Sequence, residues 1–345
     1  MGKAENSEDG GASRATLAHV AERAGVSLKT ASRALGGESY VSESTRDRVL
    51  AAARDLDYQR NTAASLLASG RLADSIGLVT GDFTNPFYSA LAQAIEDEIR
   101  PHSIHLSVAN SRESADQEWL VVHDLADRQT KALIVVSAMP EHGVYQQLQA
   151  RGIPVVFIDR PSEDVNADSV VFDNREGGRI AGRHLRQAGH TRIAFIGDYH
   201  WLPTFRARLA GLGDVLDDTD AAEWRDLVRA DTHDVSAARE RTAELLALPE
   251  PPTAIIAGNN RILLGVMEEL TAMHPERRPA ILGIDDVEWA RVLGISVVTG
   301  DTEQLGRQAA RLALGRLADR MGASEHTVLP MKLIARGSAE TPPAP

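Results

Sequence analysis

From Ile76 onward the chain alternates short runs of consecutive apolar residues with longer stretches of helical spacing. This alternation constrains the fold more than any other feature. The apolar runs are SIGLVT, IHLSVA, ALIVVS, PVVFID, DSVVFD, RIAFIG, RDLVRA, TAIIAG and PAILGID. Between them the spacing predicts a helix from Pro86, another between ALIVVS and PVVFID, and others over 115–128, 175–188, 203–216, 235–247 and 260–273. A strand that is apolar on both faces must be covered on both faces. Such strands joined by crossover helices therefore predict parallel sheets with helices on either side. The strands are too many for one sheet of usual size, so the expected body is an α/β structure of two lobes over residues 75–338. Hydrophobic residues make up 43% of the 345, enough to fill cores of that size.

The chain contains no cysteine, which excludes disulfides, thiolate metal sites and a cysteine nucleophile. No run approaches the ~18 apolar residues of a membrane span, and MGKAENSEDGGAS lacks the apolar core of an export signal. The expectation is a cytoplasmic protein without a membrane segment. Residues 1–13 and 339–345 read as disordered tails.

A net charge of −12 argues against nucleic acid as a partner, yet the charge is unevenly spread. Gly11–Leu72 holds nine Lys/Arg against six Asp/Glu, leaving the acidic surplus in the remainder. A basic head on an acidic body is the pattern expected when one module meets phosphate. Within that head, Leu17, Val20, Ala21 and Ala24 share one helical face, Thr16 can cap its start, and Gly25 stops it. Ser27 caps a second helix from Leu28 to about Leu35. Ser42 caps a third, with Glu43 in its first turn, which should bury Val49, Leu50, Ala53 and Leu56. Residues 14–60 thus read as a helix-turn-helix unit, followed by a linker over 61–74.

On the second helix, Ala31, Ala34 and Leu35 supply an apolar back, while Leu28, Lys29, Ser32 and Arg33 face outward. Lys29 and Arg33 can reach guanine acceptors or phosphates, and Leu28 can pack on a thymine methyl. Ser27, Thr30 and Tyr40 are placed for phosphate contacts, and Thr16 is grouped with these DNA-facing positions.

The segment TLAHVAERAGVSLKTASRALGGESYVSESTRDRVLAAARDLDYQRN closely resembles the DNA-binding headpiece of the lactose-repressor (LacI) family of bacterial transcription factors. The resemblance continues through IGLVTGDFTNPFYSALAQAIEDEI, VFIDR, VVFDNREGGRIAGRHL, GHTRIAFIG, RARLAGL, ILGIDD and LGRQAARLAL, so it covers nearly the whole chain. It implies that the linker folds as a hinge helix on DNA, with Asn61 at the DNA and Leu67 as a minor-groove wedge. The chain departs from the family at Gly36, usually Asn, at Arg60, usually Pro, and at Ser65 and Ala68, often basic.

The resemblance also implies a periplasmic-binding-protein-like body with its ligand between the lobes. Open α/β sheets bind ligands beyond the carboxyl ends of their strands. That places Asp82, Phe83, Asn85, Phe87, Arg160, Trp201, Arg206, Asn260 and Asp285 as candidates, with Arg206 of FRARLAG as the main sugar anchor. Asn260 stands where the family commonly has Asp, and Thr299–Asp301 where it has Arg-Gln-Pro. Asn85 and Asp173 also read as helix caps, and Trp289 as a core residue.

The expected protein is a ligand-responsive, sequence-specific DNA-binding regulator, a repressor of carbohydrate or polyol genes. Its partners would be a pseudo-palindromic double-stranded operator, a small-molecule effector and a second copy of itself, with no cofactor. A regulator controlled by a purine or a protein partner is the alternative. A sugar-binding transport component would share the body fold but needs an export signal and no headpiece. Enzyme classes lack support: GDFTNPF follows the first strand in place of G-x-G-x-x-G, and no P-loop or G-x-S-x-G elbow occurs. The eleven His show no H-E-x-x-H spacing.

Overall fold

The computed structural model describes residues 15–36, 40–58, 74–162, 164–217, 219, 222–320 and 322–343. The expected linker, with Asn61 and Leu67, lies outside them. The chain divides into two compact units, Met1–Leu72 and Ala73–Pro345.

The first unit holds α1 (Leu17–Ala24), α2 (Leu28–Leu35) and α3 (Glu43–Asp55). Thr16 Oγ1 caps α1 by accepting from the His19 amide, and Gly25 ends it with φ 64°, a left-handed conformation glycine adopts without strain. Val20, Ala21, Ala24, Ala31, Ala34, Val49, Ala52 and Ala53 form its core. Two expectations for α3 fail. Leu50 is exposed and Ala52 takes its place inside, because 49, 52 and 53 share a face that 50 leaves. The Ser42 hydroxyl donates to Thr45 Oγ1 instead of capping the helix.

The second unit contains two six-stranded sheets. In the first, the order is β11 (His326–Leu329), β5 (Asp168–Phe172), β4 (Val155–Ile158), β3 (Ala132–Val135), β1 (Ser75–Thr80), β2 (His105–Asn110), all parallel. Its helices are α4 (Pro86–Ile99), α5 (Ala115–Asp127) and α6 (Gly143–Ala150), joined by α12 (Thr302–Ala318), which packs on α4. In the second, the order is β12 (Lys332–Ile334), β10 (Ser296–Thr299), β9 (Ala280–Ile284), β8 (Ala254–Ala257), β6 (Ile193–Ile196), β7 (Val228–Arg229). Its helices are α7 (Asn174–Gln187), α8 (Pro203–Leu216), α9 (Val235–Leu246), α10 (Asn260–Thr271) and the short α11 (Glu288–Val292).

Several details correct the sequence reading. The second sheet is not wholly parallel, since β12 runs antiparallel to β10. The chain passes from β11 in one lobe to β12 in the other without a crossover helix, so it enters from the opposite end. Only Val228–Arg229 of RDLVRA is a strand, and the residues before it form a 3-10 turn. β10, β11 and β12 lie outside the apolar runs of the sequence. Ala339, expected in a disordered tail, is fully buried, and Glu340 accepts from His184 Nε2 and Ser296 Oγ.

The lobes interleave, because the chain crosses between them at Asp173, at Gly300–Asp301 and at Pro330–Met331. The Asp173 amide donates to the Leu329 carbonyl at 2.9 Å. A Cβ on Gly300 would lie 2.1 Å from Phe172 Cε1, so glycine is what lets two crossings stack. Asp301 then caps α12 through the Gln304 amide. The departure at Thr299–Asp301, expected near the ligand, therefore serves the hinge.

Candidate DNA-recognition helix and effector cleft

The exposed face of α2 carries Leu28, Lys29, Ser32 and Arg33, while Ala31 and Ala34 are buried against α1 and α3. Ser27 Oγ accepts from the Thr30 amide at 3.1 Å and lies 2.8 Å from Thr30 Oγ1. Capping thus presents both hydroxyls at the start of α2, beside free amides and the positive end of the helix dipole. Tyr40 is 91% exposed. A short helix whose outer face is polar and basic, with an alanine back, fits a major groove.

In the second unit, loops after β1, β3 and β4 of one lobe face loops after β6, β8 and β9 of the other. Between them lies a narrow cavity of about 40 Å³. Arg208 lines it. Its Nε donates to Asn174 Oδ1 (2.8 Å) and its Nη1 to the Gly258 carbonyl (2.6 Å). Helices α7 and α8 hold it there by glycine contact: a Cβ on Gly178 would meet the Arg208 carbonyl oxygen at 2.2 Å, and one on Gly211 the Arg175 carbonyl oxygen at 1.9 Å.

Asp159 and Asp285 contribute carboxylates from opposite lobes. Among the described residues no donor reaches the Asp159 side chain; its nearest cation is Arg160 Nε at 3.8 Å, an atom that itself lacks a partner. Burial pushes the Asp159 carboxyl up to about 6, against the pull of Arg160 and Arg208. Burial also raises Asp285, which accepts from Asn260. Asp198 receives Asn259 Nδ2 at 3.0 Å and His233 Nδ1 at 3.0 Å.

The other candidates divide. Asn85 and Phe87 line the central cavity; Asn85 Oδ1 caps α4 through the Phe87 amide and also accepts Asn260 Nδ2 from the other lobe at 2.8 Å. Arg160 lines it too, but its two terminal nitrogens are held by Glu113 at 2.6 and 2.8 Å, with Ser137 O and Tyr88 Oη beside them. Asp82 is folded back on Thr84 and borders a separate cavity with His233 and Arg261. Phe83 is exposed at 57% and lines none of the cavities described here. Trp201 and Arg206 border a neighbouring, larger chamber. Arg206 therefore does not line the central cavity, and Arg208, absent from the candidates drawn from the sequence, does. The phase of α8 carries that information: 204, 208, 211 and 212 share its buried face, and 206 lies off it.

The chain matches the model for bacterial regulatory proteins of the lacI family over residues 16–61, and that for a periplasmic binding protein-like domain over 183–339. It is 30% identical over 333 residues to the HTH-type transcriptional regulator GalR of Escherichia coli K12, spanning 95% of this chain and 96% of GalR. The chain belongs to the lacI family. This lacI-family regulator is a ligand-responsive, DNA-binding transcription regulator, in a family of regulators and not of enzymes. Its fold matches the lac repressor dimer bound to operator and an anti-inducer, with TM-score 0.79, 24% identity, and 95% and 99% of the two chains covered. It also matches a transcriptional regulator CelR–cellobiose complex, with TM-score 0.67, 27% identity, and 94% and 100% covered. Among the described residues no helix is long and apolar enough to cross a membrane, and no group of His, Asp or Glu has metal-site geometry.

Proposed function

We propose that this regulator is a cytoplasmic homodimer that represses carbohydrate or polyol genes from a pseudo-palindromic operator and responds to a neutral polyhydroxyl effector in the central cavity. The observation that carries the effector class is the Asp159 carboxylate, which lines the cavity with Asp285 and Arg208 and takes no donor from the described residues. Buried polar groups need partners. A ligand rich in hydroxyl donors supplies them without adding charge to a site where Glu113 holds the terminal nitrogens of Arg160 and Asn174 and Gly258 hold Arg208.

For DNA, Lys29, Arg33 and Leu28 on the outer face of α2 are the proposed base-reading residues, with Thr16, Ser27, Thr30, Ser32 and Tyr40 at the backbone. The hinge roles of Asn61 and Leu67 belong to the same proposal. One headpiece reads about half of a useful site, so two copies related by a two-fold axis supply specificity. Exposed apolar side chains on both lobes, Trp119 and Leu120 on α5 and Val292 and Leu293 at α11, support a second copy packing against the body.

The effector acts by its differential affinity for two lobe arrangements. The Asn85–Asn260 bond and the three hinge crossings are the contacts such a rearrangement must change.

The test combines selection of duplexes from a random pool with binding titrations of the full chain. A salt-sensitive preference for a two-fold-symmetric duplex, changed at least tenfold by a sugar or polyol that also raises the melting temperature, is the expected result. Equal affinity for selected and random duplexes overturns the proposal.

A further inference from the structure

The cleft does not end at the central cavity. A second chamber of about 680 Å³ is lined by Met139, Pro140, His142, Pro161, Trp201 and Arg206 among others. Arg160 lines both spaces, and two stretches of chain, 159–161 and 201–204, border them alternately. The two spaces therefore adjoin along both lobes.

The chemistry of the outer chamber differs from that of the centre. Its wall is mainly apolar. Trp201 is half-buried and stacks on Tyr199 (ring centroids 5.7 Å, 11° between planes), which stacks in turn on His233 (4.9 Å, 13°). The stacked neighbour fixes the indole, so its orientation is set before any ligand arrives. Two of the acids nearby are already engaged: Glu113 by Arg160, and Asp164 by the His142 amide (2.7 Å) and ring (2.5 Å). The loop behind them is held by buried Glu118, which accepts from Ser137 Oγ, the Ala138 amide and Tyr145 Oη. Arg206 is exposed at the rim and makes no ion pair with the described residues. The chamber thus offers a rigid aromatic face and a spare guanidinium fork, the complement of a sugar ring with one apolar face and acceptor hydroxyls at its edge.

We infer that the effector is a glycoside of at least two units, one ring at Arg208, Asp159 and Asp285 and the next on Trp201 within reach of Arg206. The inference rests on the polyol reading of the central cavity and extends it to the length of the ligand.

The test is calorimetric titration of the full chain with lactose, melibiose, cellobiose, maltose, trehalose and sucrose, and with glucose, galactose and fructose. At least one disaccharide should bind tenfold or more tightly than its own constituents. Trp201→Ala should remove that advantage and leave the monosaccharide dissociation constant within twofold, and Trp201→Phe should restore much of it. Operator binding without sugar checks that each variant is folded. Monosaccharides that match every disaccharide containing them, or a Trp201→Ala loss equal for both, would overturn the inference while leaving the central cavity intact. Disaccharide binding that survives Arg208→Ala, or no sugar binding at all, would instead overturn the central-cavity reading.

Discussion

Asp159 and Asp285 occupy equivalent places in the two lobes. Each directly follows a strand, β4 and β9, each has a left-handed backbone (φ 67° and 71°), and both carboxylates border the central cavity. Side chains other than glycine adopt this conformation at a cost, Asp and Asn least. Two strained positions from separate lobes thus aim two acids at one space.

The first prediction follows from Asp159. Its folded-state carboxyl titrates near 6, raised by burial above an ordinary value of 3.8. Between those values the unfolded chain has released its proton while the folded chain retains it, so folding stability falls as pH rises through the window and stays lower above it. Asp159→Asn removes the penalty and keeps the backbone conformation. The variant should be more stable than the parent at pH 7.5, by on the order of 1–3 kcal/mol, with the difference disappearing near pH 4. Urea denaturation at both pH values measures this. A variant less stable at pH 7.5 would mean that the carboxylate is satisfied in the free protein.

Arg208 and Arg206 should behave oppositely. The guanidinium of Arg208 spans Asn174 and Gly258, and a lysine ammonium cannot meet both with a planar fork. Arg208→Lys should lower stability by about 1–3 kcal/mol and weaken effector binding at least a hundredfold. Arg206→Ala, at an exposed position, should change stability by less than about 0.5 kcal/mol. Paired denaturation and calorimetric titrations decide between them; equal losses would contradict the placement of the two side chains.

The contrast between these arginines also marks how far the sequence is legible. Continuous apolar runs and glycine turns report local periodicity, so the two-lobed α/β body, the helix-turn-helix unit and the exposed face of α2 follow from it. The strands β10–β12 are short and lie where the chain recrosses the hinge, so their partners are set by topology and not by pattern. The motif FRARLAG alone points to Arg206, whereas the phase of α8 around Gly211 and Leu212 points to Arg208. The Glu113–Arg160 pair joins residues 47 apart, and no local periodicity announces such a contact. Gly81 beside it has space only for hydrogen, since a Cβ would lie 1.7 Å from Glu113 Oε1.

The glycines between α7 and α8 give a third prediction. Gly211→Ala places a methyl group against the Arg175 carbonyl, backbone that cannot swing aside. It should cost about 1–3 kcal/mol or more and weaken effector binding, because α8 carries Arg208, although position 211 lies outside the cavity lining. Gly315→Ala, on the exposed side of α12 with nothing within 4 Å of its Cβ, should stabilise by about 0.5–1 kcal/mol. Thermal melts of the two variants with and without sugar compare a helix contact with an open helix position.

The last prediction concerns α2, where affinity and selectivity can be separated. A side chain that only neutralises phosphate weakens binding to all duplexes alike and lowers the salt slope by about one. A side chain that reads a base edge affects one sequence far more than the rest. Arg33 lies on the exposed face, on the turn following Lys29, and its side chain is much longer than the capping hydroxyls of Ser27 and Thr30. Arg33→Ala should therefore weaken the selected duplex by about 1–3 kcal/mol while random duplex changes by less than threefold. Ser27→Ala should weaken both together, losing a backbone contact and a cap worth about 1 kcal/mol. Anisotropy titrations on both duplexes across a salt series read the difference; a uniform loss from Arg33→Ala, with the salt slope reduced by one, would reassign that arginine to the phosphate backbone.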